Sequence, residues 1–140
     1  MKILKCRVLV EGVVEGRALI SRDPISFYGG VDPKTGVIVE KGHSIYGCSI
    51  KDKILIFPYG KGSTVGSYVL YGLARRGLAP KAIVNLRSEI IVVVGCILGG
   101  IPLVDSVDIS ILDLVRTGDK VKVIAKAKKG VVVIENGEYT

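Results

Sequence analysis

A glycine-rich block with hydroxyl side chains lies between an apolar run and a helix-like pattern. Residues 58–67 read Pro-Tyr-Gly-Lys-Gly-Ser-Thr-Val-Gly-Ser and follow the apolar run Ile54–Phe57. Glycine permits positive φ and lets a ligand approach the backbone closely. The first N–H groups of a helix have no partner inside the helix and favour negative charge. The block therefore predicts a site that holds an anion or stabilises a developing oxyanion, with hydroxyl groups at the helix start.

The spacing within this block argues against the common nucleotide-binding motifs. Gly60, Gly62 and Gly66 match neither the dinucleotide fingerprint nor the Walker loop, which needs Lys directly before Ser or Thr. From the residues alone, Ser63 is equally consistent with a helix N-cap, a role that serine often fills. Ser67 lies one helical turn later, and we expect its hydroxyl to point along the helix or to bond back to a carbonyl.

Other polar residues are weaker candidates for chemistry. His43 is the only histidine, and with no second ligand type near it in sequence a structural or substrate-orienting role is favoured over that of a general base. Asp32 in Gly-Gly-Val-Asp-Pro is more typical of a turn than of a catalytic acid. The sequence does not rank the cations that could hold a phosphate or carboxylate group: Arg22, Lys34, Lys61 and Arg87.

The elements that position the block follow from the hydrophobic pattern. Val65, Val69, Leu70 and Leu73 have helical spacing, and Gly77 stands where a C-terminal cap is expected. Residues 90–98 are ambiguous, because their β-branched residues favour a strand while the glycines around them would suit a short buried helix. Residues 11–16 are predicted to be a turn. The predicted strands are 2–10, 17–20, 53–57, 82–86, 103–104, 120–127 and 131–134. The order strand, loop, helix, strand over 53–86 predicts a β-α-β unit with parallel pairing.

Composition limits the class of protein. A chain of 140 residues with 49% hydrophobic content predicts a single domain over residues 1–140. The net charge of +7 indicates an anionic partner, but aromatic residues are few and Trp is absent, unlike most nucleic-acid binders. The lysines of 120–129 mostly alternate with apolar residues, which predicts a solvated strand face. A stand-alone basic module that binds RNA or an acidic partner stays an alternative.

The cysteines do not form a recognisable metal motif. Cys6, Cys48 and Cys96 lie far apart with no Cys-x-x-Cys spacing, so this chain alone offers neither a zinc site nor a cluster cradle. They are expected to be reduced and buried. With no leader-like start and no apolar run long enough to span a bilayer, cytoplasmic residence is expected.

Several segments together resemble the small subunits of the aconitase X family. These are residues 29–36 (Gly-Gly-Val-Asp-Pro-Lys-Thr-Gly), 57–67 around the glycine-serine block, 98–105 (Leu-Gly-Gly-Ile-Pro-Leu-Val-Asp), 116–121 (Arg-Thr-Gly-Asp-Lys-Val) and 129–132 (Lys-Gly-Val-Val). The likeness runs nearly end to end. It implies an α/β fold of the swivelling β/β/α type, a compact mixed sheet with flanking helices.

The resemblance is strongest to the archaeal branch of the family that dehydrates mevalonate 5-phosphate in isoprenoid biosynthesis. It implies a hydro-lyase active only as a heterodimer, with no nucleic-acid or membrane partner. The large subunit is expected to carry an iron–sulfur cluster that polarises the departing hydroxyl, while this chain binds no cofactor alone. Ser63 matches the family's catalytic base, and Lys61, Gly62 and Thr64 are expected to bind substrate. A related dehydratase acting on a hydroxyproline-type substrate is the alternative within the family.

Overall fold

The computed structural model describes residues 1–135. Its elements, in chain order, are β1 (Lys2–Val10), β2 (Gly12–Ile20), α1 (Phe27–Gly30), β3 (Ile54–Phe57), α2 (Gly66–Arg75), β4 (Ala82–Asn85), α3 (Ile90–Gly99), β5 (Leu103–Asp105), α4 (Ile111–Leu114), β6 (Lys120–Lys126) and β7 (Lys129–Glu135). Two residues inside α1, Tyr28 and Gly29, have non-helical dihedral angles, so α1 is a kinked turn rather than a regular helix.

The strands close into a barrel in the order β1-β5-β4-β3-β2-β6-β7. Strands β2, β3, β4 and β5 run parallel to one another. The remaining pairings, of β1 with β5 and β7 and of β6 with β2 and β7, are antiparallel. The predicted β-α-β unit over 53–86 is confirmed, with β3 and β4 paired in parallel on either side of α2. The mixed sheet of the predicted fold is also present, and its closure into a barrel was not predicted.

The apolar residues form two cores, one on each face of the parallel strands. Ile54 and Ile56 of β3 point into the barrel, where the alternating residues of the other strands meet them. Leu55 and Phe57 point outward, under α2, α3 and the long connection between β2 and β3. Because both faces of β3 and β4 are buried, their sequences read as continuous apolar runs.

The structure corrects two sequence predictions and resolves a third. Residues 12–16 continue β2 rather than form a turn, because Gly12–Gly16 pairs with Ala125–Val121 of β6. Ser67, expected to bond within its own helix, bonds to another helix, as described below. The ambiguous segment is the helix α3, which ends at Gly100 in the left-handed region (φ 68°). Gly95 lets α3 pack closely on α2, since an added Cβ would lie 2.9 Å from Leu70.

Of the helices in residues 1–135, none is long and apolar enough to cross a membrane.

Candidate functional site

The loops that follow the parallel strands meet at one edge of the barrel. Because these strands point the same way, the segments after β2, β3 and β4 all leave the carboxyl edge of the sheet. The glycine-serine block follows β3 there, and bends toward the segment after β2 through a parallel bridge between Ile25 and Gly60. In folds built on parallel strands, both open sheets and barrels, the loops at the carboxyl edge commonly form the ligand site.

Ser63 lies on the surface directly before α2. Its Oγ accepts a hydrogen bond from the backbone N–H of Val65 at 3.1 Å, and its carbonyl accepts one from Gly66 at 2.9 Å. The hydroxyl therefore caps the turn that leads into α2, yet the residue is exposed. An N–H donor stabilises an alkoxide more than a neutral hydroxyl, because the interaction strengthens with negative charge. Capping and proton transfer are thus compatible at one atom.

Three consecutive backbone donors beside this hydroxyl have no internal partner. Within residues 1–135, no acceptor pairs with the N–H of Gly62, Ser63 or Thr64. These donors lie in the glycine loop before α2, and consecutive unpaired backbone N–H groups in such a loop can bind a negatively charged ligand. The arrangement can therefore receive a carboxylate, a phosphate or an oxyanion next to Ser63.

Close packing fixes the loop that carries Ser63. The N–H of Lys61 bonds to the Ile25 carbonyl at 3.0 Å. A Cβ on Gly60 would lie 2.4 Å from Val92, and one on Gly62 would lie 2.4 Å from the Ser26 hydroxyl. Gly62 also has φ of 92°, in the region that favours glycine. Both glycines are thus required by the geometry of the site.

Of the four candidate cations, the structure places two beside the block. Lys61 lies within it, with Nζ 3.5 Å from Glu40 Oε2. Arg87 follows β4; its guanidinium stacks 3.9 Å above the ring of Tyr59 and bonds to Glu89 at 2.8 Å. A half-exposed pair such as Lys61 with Glu40 is weak, so Lys61 can turn to a ligand.

The other two cations have different surroundings. Arg22 bonds to the carbonyl of Leu112 and to the carboxylate of Asp113 beside α4. Lys34 lies in a turn whose Pro33 carbonyl accepts a bond from Arg76, at the far end of α2. A helix of this length spans about 15 Å, so Lys34 is distant from Ser63.

The structure assigns structural roles to the remaining candidates. His43 Nδ1 accepts a bond from the N–H of Ile45, so Nε2 carries the proton and donates to the Pro24 carbonyl at 2.9 Å. Asp32 accepts from the N–H of Lys34 and forms the predicted turn. Ser67 is buried and donates to the Ile91 carbonyl of α3 at 2.7 Å, so its hydroxyl ties α2 to α3.

Sequence reasoning missed two buried polar residues near this edge. Asn85 is fully buried, and its Nδ2 donates to the Phe57 carbonyl at 3.0 Å, one residue before the block. Asp105 accepts two bonds from Arg7, at 2.8 and 2.7 Å, and one from the N–H of Ser88. Each residue could have been found from the sequence, because it is a polar residue at the end of an otherwise apolar strand: Asn85 in Ile-Val-Asn and Asp105 in Leu-Val-Asp.

The pKa of Asp105 lies below its ordinary value. Burial acts to raise this pKa, but the hydrogen bonds from Arg7, Ser88 and Ser106 and the charge of Arg7 outweigh it. The carboxylate therefore stays ionised and holds three segments of the barrel edge together.

An iron–sulfur cluster does not fit the described part of this chain. Residues 1–135 contain no group of three or more His, Cys, Asp or Glu side chains that could hold a metal ion. Burial raises the pKa of Cys96 to about 12, and burial together with the charge of Asp105 raises the pKa of Cys6 to about 11. Both residues are therefore thiols at neutral pH and not thiolate ligands.

The described residues do not enclose Ser63. A cavity of about 790 Å³ lies elsewhere, between β1 and the turn joining β6 to β7, and none of Lys61, Gly62, Ser63 and Thr64 lines it. The block is open to solvent, so a closed active site around Ser63 requires another surface.

Comparisons with known proteins match the whole fold. A family model described as the aconitase X swivel domain matches residues 3–134. The chain belongs to the aconitase X swivel domain family. The predicted family and the swivelling β/β/α fold are therefore confirmed. Among solved structures, this aconitase X swivel chain is similar to Thermococcus kodakaraensis aconitase X in its holo form, with a TM-score of 0.89 and 48% identity over 97% of this chain and 100% of that chain.

Three curated relatives of the swivel chain share one description. The phosphomevalonate dehydratase small subunit of Methanosarcina acetivorans is 58% identical over 86% of this chain and 83% of its own length. That of Methanothrix thermoacetophila is 52% identical over 96% of both chains. That of Methanocaldococcus jannaschii is 52% identical over 95% of this chain and 98% of its own length.

Proposed function

We propose that this chain is the small subunit of a hydro-lyase that dehydrates mevalonate 5-phosphate to trans-anhydromevalonate 5-phosphate. The observation that carries the proposal is its similarity, over nearly the whole length, to archaeal relatives described as phosphomevalonate dehydratase small subunits. The exposed position of Ser63, in a loop with three unpaired N–H groups, supports the proposal.

Ser63 is the base in this proposal. The Ser63 Oγ, in its alkoxide form, takes the proton from the carbon next to the substrate carboxylate, and the electrons of that C–H bond form the new double bond. The C–O bond of the neighbouring carbon breaks, its electron pair leaves with the hydroxyl group, and the departing hydroxide becomes water by taking a proton from Ser63 or from solvent. No electron is gained or lost overall, so the step needs no oxidant. The N–H of Val65 already points to Oγ and stabilises the charged form of the base.

Lys61, Gly62 and Thr64 are the substrate-binding residues. The unpaired N–H groups of Gly62 and Thr64 lie on either side of the Ser63 N–H and can bond to an anionic group of the substrate. The Lys61 ammonium, held only by a half-exposed pair with Glu40, adds a positive charge at the same loop. Both anionic groups of the substrate, a carboxylate and a phosphate, suit these donors.

A separate large subunit completes the site. The iron–sulfur cluster implied by the family has no ligand group in residues 1–135, so we assign the cluster to that partner. The partner also covers Ser63, which is exposed in this chain. Excluding water strengthens electrostatic interactions between the substrate and the loop.

Reconstitution tests the proposal. This chain is purified with its cognate large subunit under anaerobic conditions, and water elimination is assayed on mevalonate 5-phosphate and on hydroxyproline, with each subunit alone as the control. We expect activity on mevalonate 5-phosphate only when both subunits are present. Activity confined to hydroxyproline would reassign the substrate. Failure to bind any large subunit, together with salt-dependent binding to RNA, would contradict the proposal.

A further inference from the structure

Helix α3 is apolar on its solvent side as well as on its inner side. Its sequence, Ile-Ile-Val-Val-Val-Gly-Cys-Ile-Leu-Gly, contains no charged residue. Val92, Gly95 and Cys96 are buried. Ile90 and Ile97 are 68% and 60% exposed. A surface helix normally carries polar residues on its outer face, and a helix that is apolar all round is buried in the complete molecule.

This outer face is continuous with the loop that carries Ser63. The Ile91 carbonyl of α3 accepts the bond from Ser67 in the first turn of α2, and Val92 is in contact with Gly60. Large apolar and aromatic side chains at the start of α2 and in α1 are exposed too. We name the α3 surface from six exposed side chains: Tyr28, Val65, Tyr68, Ile90, Val94 and Ile97.

We propose that the α3 surface is the docking face for the large subunit. The inference rests on the proposed function, because that function requires a partner to cover Ser63. A protein that covers Ser63 must also cover the surface next to the Ser63 loop, and there the α3 surface begins. The α3 surface combines apolar side chains and tyrosines with a polar border at Arg87 and Glu89. This composition is typical of a protein–protein interface.

The lysine-rich strand β6 lies on a different side of the barrel from the α3 surface. Lys120 and Lys126 of β6 are exposed and alternate with buried residues, on the antiparallel side of the barrel. Ile3 of β1 lies on that side, is 58% exposed, and is the cross-strand partner of Val133 in β7. Ile3 is therefore a matched control for Ile97, with the same side chain and similar exposure on a different face.

The experiment compares Ile97→Glu with Ile3→Glu. Each variant is titrated with the cognate large subunit, and the dissociation constant is measured by calorimetry or by light scattering. Because a charge placed within an apolar interface loses water without gaining a partner, we expect Ile97→Glu to weaken binding by about tenfold or more. Ile3→Glu should leave the affinity within about twofold of the unchanged chain.

Three results would overturn the inference. One is an affinity of Ile97→Glu within about twofold of the unchanged chain while its circular dichroism matches. Another is equal weakening by both variants. A third is self-association of the unchanged chain that Ile97→Glu abolishes without affecting the large subunit, which would assign the surface to a second copy. In each case Ser63→Ala, assayed in the reconstituted enzyme, still reports on the proposed function separately, since that variant leaves the α3 surface intact.

Discussion

The hydroxyl oxygen of Ser63 accepts a backbone hydrogen bond, and the residue is also exposed to solvent. The N–H of Val65, the residue before α2, bonds to Oγ, and Ser63 remains exposed to whatever covers the loop. The sequence predicted the loop before α2 and a capping hydroxyl at Ser63, because glycines and a following helical pattern are local signals; its role as a base stays a prediction. It could not separate Lys61 from Lys34, because their positions depend on how the long connection between β2 and β3 folds over α2.

Lys61 is expected to act on substrate binding and not on folding. Replacing Lys61 with Met should raise KM for mevalonate 5-phosphate by about tenfold or more, with a smaller change in kcat, because the lost charge acts on the bound substrate before and during the reaction. Steady-state kinetics of the reconstituted enzyme measures both constants.

The matched control is Glu40→Gln, which removes the partner of Lys61 and leaves the lysine free. Because an exposed ion pair contributes about 0–1 kcal/mol, the thermal midpoint should hardly move, and KM should stay within about threefold. An unchanged KM in Lys61→Met would show that this lysine does not contact the substrate.

At the scale of elements, regular patterns were read correctly and exceptions came from tertiary contacts. Helix α2, the pairing of β3 with β4 and the β6–β7 hairpin follow from local periodicity. Residues 12–16 looked like a turn because glycine stands at both ends, yet pairing with β6 makes them strand. Helix α3 was ambiguous because β-branched residues favour strands, and packing on α2 decides the outcome.

The contact between the Ser63 loop and α3 can be tested by a pair of substitutions. Gly60→Ala should lower the free energy of unfolding by about 1–3 kcal/mol, because the new Cβ would lie 2.4 Å from Val92. Val92→Ala alone should also destabilise the fold, since Val92 is buried. Denaturant unfolding gives the free energies.

The double variant, Gly60→Ala with Val92→Ala, completes a double-mutant cycle and decides whether the two residues interact. Removing the Val92 methyl groups makes room for the added Cβ, so we expect the double variant to be more stable than the sum of the two single losses by about 0.5 kcal/mol or more. Strict additivity would mean that Gly60 and Val92 do not contact each other.

For the whole molecule, closure of the barrel was beyond prediction from one sequence. Strand β1 pairs with β7 over Lys2–Arg7 and with β5 over Arg7–Val10. The alternation of apolar and polar residues along β1 does not reveal that its neighbouring strand differs between its two halves. The ion pair of Arg7 with Asp105 lies at this change of partner. The prediction of one domain over 1–140 stays a prediction, since its last five residues lie outside the described range.

Asp105 should make the stability of the barrel depend on pH. Replacing Asp105 with Asn should lower the free energy of unfolding at neutral pH by about 1–3 kcal/mol, because Arg7, Ser88 and Ser106 lose the charged acceptor that this buried carboxylate provides. The folded-state pKa of Asp105 is depressed, so its contribution is complete above the unfolded value of about 4 and is lost as the pH falls through the lower folded value. The difference between the two proteins should therefore shrink in acid.

Urea unfolding at neutral pH and at about pH 3 measures this difference. Asp113→Asn is the control, because Asp113 is an exposed partner of Arg22 and its loss should be small at every pH. A stability loss in Asp105→Asn that is equal at both pH values would refute the charged role of Asp105.

The most direct measurement is the turnover of Ser63→Asn in the complex with the large subunit. The side-chain oxygen of Asn can accept a hydrogen bond from the N–H two residues later, as Ser63 Oγ does from Val65, so this variant keeps the structural role and removes the hydroxyl. Ser67→Ala is the control, because it removes a buried hydroxyl that bonds to Ile91 and should reduce stability while leaving kcat nearly unchanged. We expect Ser63→Asn to unfold like the unchanged chain, to bind the large subunit and to lose about 10²–10⁴-fold in kcat on mevalonate 5-phosphate. A Ser63→Asn enzyme with kcat close to that of the unchanged enzyme would contradict the account.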